Sequence, residues 1–506
     1  MISKSMVPTA VLLLLVLETS AVFLNGAYFI GPMTLCVIGA WLLLACIVLV
    51  EGDGVDSWRT ARVGLPTAAL GLFWLWTGAS VFWSVAGDLS WTEFNRTGGY
   101  LAIFLIGSIA AGNRISRSLA AWLFLAAASS GSLYGIGVKA LPTVIDNLEN
   151  FARVSVPLGS VNGLGLLAAF TFPLAIYLAS SKYYPWPLRL FAMLTAPLLL
   201  ICLFYTLSRG ATLALVLGLI AYFSISPLRL RSFGVFVLAL APTIAIGWWS
   251  SGQAALSDDK VELAQRAVAA ASLRTYLIIA FVSVGLVFLA ALLIGGRVKF
   301  PRPMVRTAGA IALIGVIAAV VTGASLFISS KPSFGQWLSD SYHEFTLPGS
   351  SKGDVHRLFE LGRSGDRWQL WQEAVTNWES HPITGTGAQS FPVIHLILRA
   401  SSNLFVKQPH GLAFRVLTEL GAVGFLLAGA FISLAMFFGT LNLARTRNRW
   451  DRGMMAAILS MAIIYLVHTS YDWDWNMFAL TLPYFFFIGI LVGWQPGDVK
   501  RQETGI

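Results

Sequence analysis

Apolar residues run through this chain in long stretches separated by short polar connections, and the stretches have the length of membrane helices. They fall at 7–24, 32–50, 64–86, 99–112, 118–138, 162–179, 190–206, 210–226, 234–250, 274–295, 307–329, 413–440, 453–470 and 477–494. A helix crossing the hydrocarbon needs about 20 mostly apolar residues, with every backbone polar group bonded inside the segment. The pattern therefore predicts an all-α fold, a polytopic transmembrane helical bundle of about 12–14 spans. The 99–112 run is short for a crossing and the 413–440 run is long. One extended polar interval divides the chain into N-terminal spans over 1–330, a large external loop over 331–412 and C-terminal spans with a tail over 413–506.

Composition agrees with this class. Hydrophobic residues make up 57% of the chain and charged residues 11%, far from the balance of a soluble globular protein. The formal charge of +10 is explained by where the cations lie. With a cytoplasmic N-terminus, Arg59/Arg62, Arg114/Arg117, Lys182/Arg189, Arg229/Arg231, the "GGRVKFPRPMVR" and "ARTRNRWDR" clusters and Lys500/Arg501 all fall inside, as the positive-inside rule requires. The charge is thus a topology signal, and with no basic face interleaved with aromatics in a soluble domain, no nucleic-acid partner is expected. Cys36, Cys46 and Cys202 lie within predicted spans and lack the paired spacing of a disulfide or zinc framework. Lys4 precedes the first apolar stretch with no small-residue cleavage site, so that span reads as retained.

The same topology puts three arginines on the outer side, against the bias of the rest: Arg96 in "WTEFNRTGG", Arg153 in "FARVSVPLGSVNG" and Arg209 in "YTLSRGATLALV". Arg209 interrupts two apolar runs with almost no loop, which sets its guanidinium at or just under the membrane surface. An arginine so placed is costly unless paired or solvated, and marks a functional site by default; the plainer alternative is snorkelling to lipid phosphates.

The long outer segment carries five of the six histidines, His343, His356, His381, His395 and His410, in no HExxH or similar ligand spacing, so no metal site is expected. Trp368, Trp371, Val375 and Trp378 recur at helical spacing behind Asp366, and His381-Pro382 ends the period. Arg363 and Arg367 stand at the head of that amphipathic helix, where unpaired N–H groups and guanidinium forks suit a phosphate. Farther on, His410 sits in a Pro-His-Gly turn, and Arg415 and Glu419 are one helical turn apart and suited to an ion pair. An imidazole titrates near external pH and suits a group that takes a proton from a hydroxyl. The last outer turn, "HTSYDWDWNMF", brings His468, Asp472 and Asp474 between two spans; Asp-Trp-Asp there reads as capping and hydrogen bonding rather than as a metal-binding DxD.

"LFYTLSRGATLALVLGL", "RWQLWQEAVTNWESHPITGTGAQSF", "PHGLAFRVLTELGAVGFLL" and "HTSYDWDWNMFALTLPYFFFIGIL" resemble the successive landmarks of the O-antigen ligase and O-antigen polymerase superfamily, over roughly 150–494. His410 followed by Gly421 inside "ELGAVG" is similar to the ligase histidine pattern, and "ARVSVPLGSVNGLGLLA" resembles the family's Arg-to-Asn-Gly stretch, with Arg153 and Asn162 on the matching positions. The family's loop arginine lies in an Arg-x-x-x-Leu pattern that neither Arg363 nor Arg367 matches, since Trp371 stands where leucine would follow Arg367.

The resemblance implies a glycosyltransferase of the bacterial inner (plasma) membrane, active on its periplasmic or external side. It would move a glycan from an undecaprenyl-diphosphate donor to a lipid- or glycan-linked acceptor among membrane lipids, with no cofactor, nucleotide sugar or required metal. Arg209, Arg153 and one of Arg363 or Arg367 would hold the diphosphate. His410 would activate the acceptor hydroxyl, and Glu419 could orient it, although Arg415 competes for that carboxylate; Asn162 and Asp472 would support the site. A repeat-unit polymerase of the same superfamily, a lipid-linked glycan flippase and a metal-dependent transferase built on Asp472 and Asp474 are the rivals.

Overall fold

The protein is described by a computed structural model, which covers residues 6–50, 58–145, 152–258, 261–297, 333–346, 367–399 and 405–495, with 307, 322 and 325 between. Arg363, His356 and all of the 307–329 span but those three residues lie outside the described residues. Among the described residues the fold is all-helical, without strands. The bundle helices are α1 (Val7–Phe23), α2 (Ile30–Val50), α3 (Ala61–Ala79), α4 (Gly87–Ala110), α5 (Arg114–Ala140), α6 (Val161–Ser180), α7 (Trp186–Thr206), α8 (Arg209–Ile225) and α9 (Arg229–Ser251). A short α10 (Ala254–Ser257) leads to α11 (Leu263–Arg297). The loop helices are α12 (Phe334–Thr346), α13 (Arg367–Ser380) and α14 (Phe391–Leu398), and the chain ends with α15 (Leu412–Arg445), α16 (Arg449–Thr469) and α17 (Phe478–Gly493).

Nine of the described helices are long and apolar enough to cross a membrane, and α1, α8 and α17 are shorter apolar helices. The chain is a multi-pass membrane protein. Its buried axis is formed by α4, α6, α16 and α17, whereas α2, α9 and α11 turn leucine, isoleucine and valine outward, as lipid requires. Small residues let the central helices touch: a side chain at Gly107 of α4 or Gly489 of α17 would run into the facing backbone of Phe486 or Phe104.

Two expectations change. The short 99–112 run is the apolar half of the 24-residue α4, whose first turns are polar. Arg96 is therefore no loop residue; it lies inside α4, buried against Glu93. The long 413–440 run is one helix in two pieces. At Gly421 the backbone takes φ 63°, ψ −165°, which only glycine adopts without strain. Residues 382–387 and Trp76 of α3 fill the break: Ala422 N donates to Pro382 O (2.8 Å), Gly387 N to Glu419 O (2.8 Å), and Trp76 Nε1 to Leu420 O (3.0 Å). Backbone groups freed inside a membrane domain need such partners.

Among the described residues, cations of several connections meet at one end of the bundle, with Arg114 over the Tyr183 ring, Arg117 over Trp494, and Arg62 donating to Asn442 (3.1 Å). The opposite end holds the α7–α8 turn, residues 152–160, the loop helices and the turn before α17.

Candidate functional site

At that opposite end the chain reverses sharply between α7 and α8. Leu207 adopts a left-handed conformation, and Ser208 caps α8 by accepting from Ala211 N (3.3 Å), so Arg209 opens the helix. Ser208 Oγ donates to Asn162 Oδ1 (3.1 Å) at the start of α6. Arg153 reaches the same group: its Nη2 donates to Asn162 Oδ1 (3.3 Å) and its Nε to Thr206 O (3.0 Å). Three segments distant in sequence thus share one amide.

The other end of that amide binds Asp472. Asn162 Nδ2 donates to Asp472 Oδ2 (2.7 Å), and Arg367 Nη2, from the first residue of α13, donates to the same oxygen (3.0 Å). Asp472 Oδ1 accepts from Trp473 N (2.8 Å) and lies 3.6 Å from His410 Nδ1, an electrostatic contact rather than a hydrogen bond. Burial alone would raise the Asp472 carboxyl, but His410, Arg367 and His468 outweigh it and hold the group well below the usual carboxylate range. Arg153, Asn162, Arg209, Arg367, His468, Tyr471 and Asp472 enclose a cavity of about 90 Å³. Three guanidinium groups around one carboxylate leave it net positive, suited to an anion.

His410 stands at the edge with φ 53°, rare for a non-glycine residue and found disproportionately at functional sites. Trp371 Nε1 donates to its carbonyl (2.9 Å), and the Trp371 ring stacks on Phe414 at 4.8 Å. The Trp371 repeat position therefore secures the histidine turn.

Arg415 and Glu419 form a second, fully buried cluster. Arg415 donates through Nε to Glu419 Oε2 (3.1 Å), through Nη2 to Glu93 Oε2 (2.9 Å) and through Nη1 to Asn476 Oδ1 (2.8 Å). Glu93 also takes Arg96 and the indole N–H of Trp475 (2.7 Å). Glu419 Oε2 is occupied by Arg415 and Gln389 N (2.7 Å), so the carboxylate beside His410 is Asp472 and not Glu419. One turn serves both clusters: Asp472 faces the cavity, Asp474 pairs with His468 (2.6 Å), Trp475 binds Glu93 and Asn476 binds Arg415. The two aspartates face different partners rather than one shared centre. Burial pushes the Asp474 carboxyl above its ordinary value, against the pull of His468, so the two carboxyls are driven in opposite directions.

Glu93 escapes sequence reasoning, which names His468 and Asp474 but not their pairing, because nothing local marks either beyond the i, i+3 spacing of Glu93 and Arg96 and the alternation of Asp472, Asp474 and Asn476.

Residues 267–429 match the family model of the O-antigen ligases. The match covers about a third of the chain and supports a place in the O-antigen ligase superfamily. No curated protein matches the chain. The ligase match runs from α11 through the loop helices past the break at Gly421, and includes Arg367, His410, Arg415 and Glu419. Arg153, Asn162, Arg209 and Asp472 lie outside it and are brought to the ligase segment by the fold. The O-antigen ligase family points to glycan transfer at a membrane.

Proposed function

We propose that this protein is a membrane glycosyltransferase that moves a glycan from an undecaprenyl-diphosphate donor to a lipid- or glycan-linked acceptor, on the external face of a bacterial inner membrane. The observation that carries the reading is the cavity ringed by Arg153, Arg209 and Arg367, with His410 at its rim beside Asp472. When the glycosidic C–O bond to a lipid diphosphate breaks, negative charge grows on the leaving oxygens. Arginines fixed by Asn162, Thr206 and Asp472 meet that charge without reorganising, and each such donor is worth about 3 kcal/mol of barrier.

His410 is the base in this reading. With Nδ1–H turned to Asp472, Nε2 is left to take the proton of the acceptor hydroxyl, and the carboxylate steadies the imidazolium that forms. The hydroxyl oxygen then attacks the anomeric carbon opposite the departing diphosphate, in one inverting step.

The test is mass spectrometry of the product formed from a polyprenyl-diphosphate glycan and candidate acceptors, comparing wild type with Arg209→Ala and His410→Ala. The expected result is a covalent glycan–acceptor product with wild type and a loss of a hundredfold or more in each variant. Undiminished transfer at normal protein level removes that residue from the chemistry, and glycan crossing the membrane with no covalent product replaces transfer by transport.

A further inference from the structure

The cavity holds a second imidazole that the reaction above does not use. His468, at the outer end of α16, is fully buried and lines the cavity together with Arg153, Arg209 and Arg367. Its Nδ1 is 2.6 Å from Asp474 Oδ2, and its Nε2 is buried with no hydrogen-bond partner. A buried polar nitrogen left open is costly in a membrane domain unless a ligand completes it. A carboxylate on one ring nitrogen and an open second nitrogen is the arrangement of an oriented acid–base histidine.

We infer that His468, oriented by Asp474, is the catalytic acid that hands a proton to the diphosphate as it leaves. This rests on the transfer reaction proposed above. The balance is complete: the acceptor oxygen bonds to the anomeric carbon and its proton passes to His410, while the bond from that carbon to the diphosphate oxygen breaks and the proton on His468 Nε2 goes to the diphosphate. The proton gained at His410 and the one lost at His468 re-equilibrate with water between turnovers. The division of labour follows position, since His410 is half-buried at the rim, where an acceptor arrives, and His468 is enclosed among the arginines.

The groups facing His468 are Asp474, Asp472 and Tyr471 of the turn, Arg367 of α13, Arg209 of α8 and Arg153 of the segment before α6; α17 brings no charged side chain. An acid must be protonated to act, so activity falls as pH rises through its titration; a base produces the opposite limb.

The experiment measures kcat and KM against pH for the full-length protein, with undecaprenyl-diphosphate-linked glycan as donor and, as acceptor, whichever lipid- or glycan-linked candidate gives a product in the mass-spectrometric test. Wild type is expected to lose turnover at alkaline pH. In His468→Asn the amide can keep the contact to Asp474 but has nothing at the Nε2 position; kcat should fall about a hundredfold with donor KM within about threefold, and the alkaline limb should vanish. Asp474→Asn, which removes the charge favouring the imidazolium, should move that limb to lower pH.

A wild-type profile with no alkaline limb overturns the assignment whether or not the variants fold. So does a His468→Asn protein that retains wild-type turnover, or an Asp474→Asn protein whose limb stays in place. Wild type that yields no transfer product sinks the underlying reaction instead, and the inference with it.

Discussion

Arg367 and Asp472 stand 105 residues apart in the chain and 3.0 Å apart in space, joining helix α13 to the turn between the last two helices. That one contact fixes the head of α13 over the cavity floor and spaces Asp472 for His410 on its other oxygen. The carboxylate is the hub, because Asn162 and Arg367 share its Oδ2.

Asp472→Asn should therefore cost at least tenfold in turnover and loosen the loop. The depressed carboxyl also sets a pH signature: a group whose folded pKa is lowered stabilises fully above its unfolded value of about 3.9 and loses that contribution only as pH falls toward the folded one. The melting-temperature gap between wild type and Asp472→Asn in detergent should stay constant from neutrality down to about pH 4 and close only below it. A gap that already closes between pH 7 and 5 contradicts the ionised hub.

Gly421→Ala tests the broken helix. The added Cβ would collide with the Ile383 backbone, and the φ of 63° with ψ of −165° is itself worth about 1–3 kcal/mol of strain in any other residue. Protein level and melting temperature should both drop, whereas Gly429→Ala, with open space around it in the same helix, should match wild type.

Glu93 is the predicted anchor of the buried charge cluster. Removing it takes the carboxylate from Arg96 and leaves Arg415 with Glu419 and Asn476, and breaking a buried pair costs about 3–5 kcal/mol. Glu93→Gln combined with Arg415→Gln should be less destabilised than the sum of the single changes, read from unfolding of the purified variants in a double-mutant cycle. Strict additivity would mean that the 2.9 Å contact contributes nothing.

Trp371→Phe separates support from chemistry. The ring stack on Phe414 survives, and the hydrogen bond to His410 O is lost, worth about 1 kcal/mol. Turnover should fall severalfold with donor KM unchanged; a change confined to KM would place Trp371 at the donor instead.

By itself the sequence determined the class of this protein and set an expectation for its direction. Apolar runs of crossing length and cations on alternate connections are local, additive signals, because lipid leaves the backbone few choices and charge is counted loop by loop. Arg153, Arg209, Arg367 and His410 were legible for the same reason, as polar groups out of place in such a chain. Tertiary structure alone decided which carboxylate each of them meets. Glu419 is near His410 in sequence, yet Arg415 and Gln389 take it, and Asp472 comes to the histidine from 62 residues further on. The long C-terminal run hides a break that forms only because residues 382–387 supply its backbone partners, and α4 can carry Glu93 and Arg96 only because α15 and the last turn bring their counterparts. A charge buried in a membrane bundle is stable when its partner is present, and that partner is chosen by packing across the bundle, which no window along the chain contains.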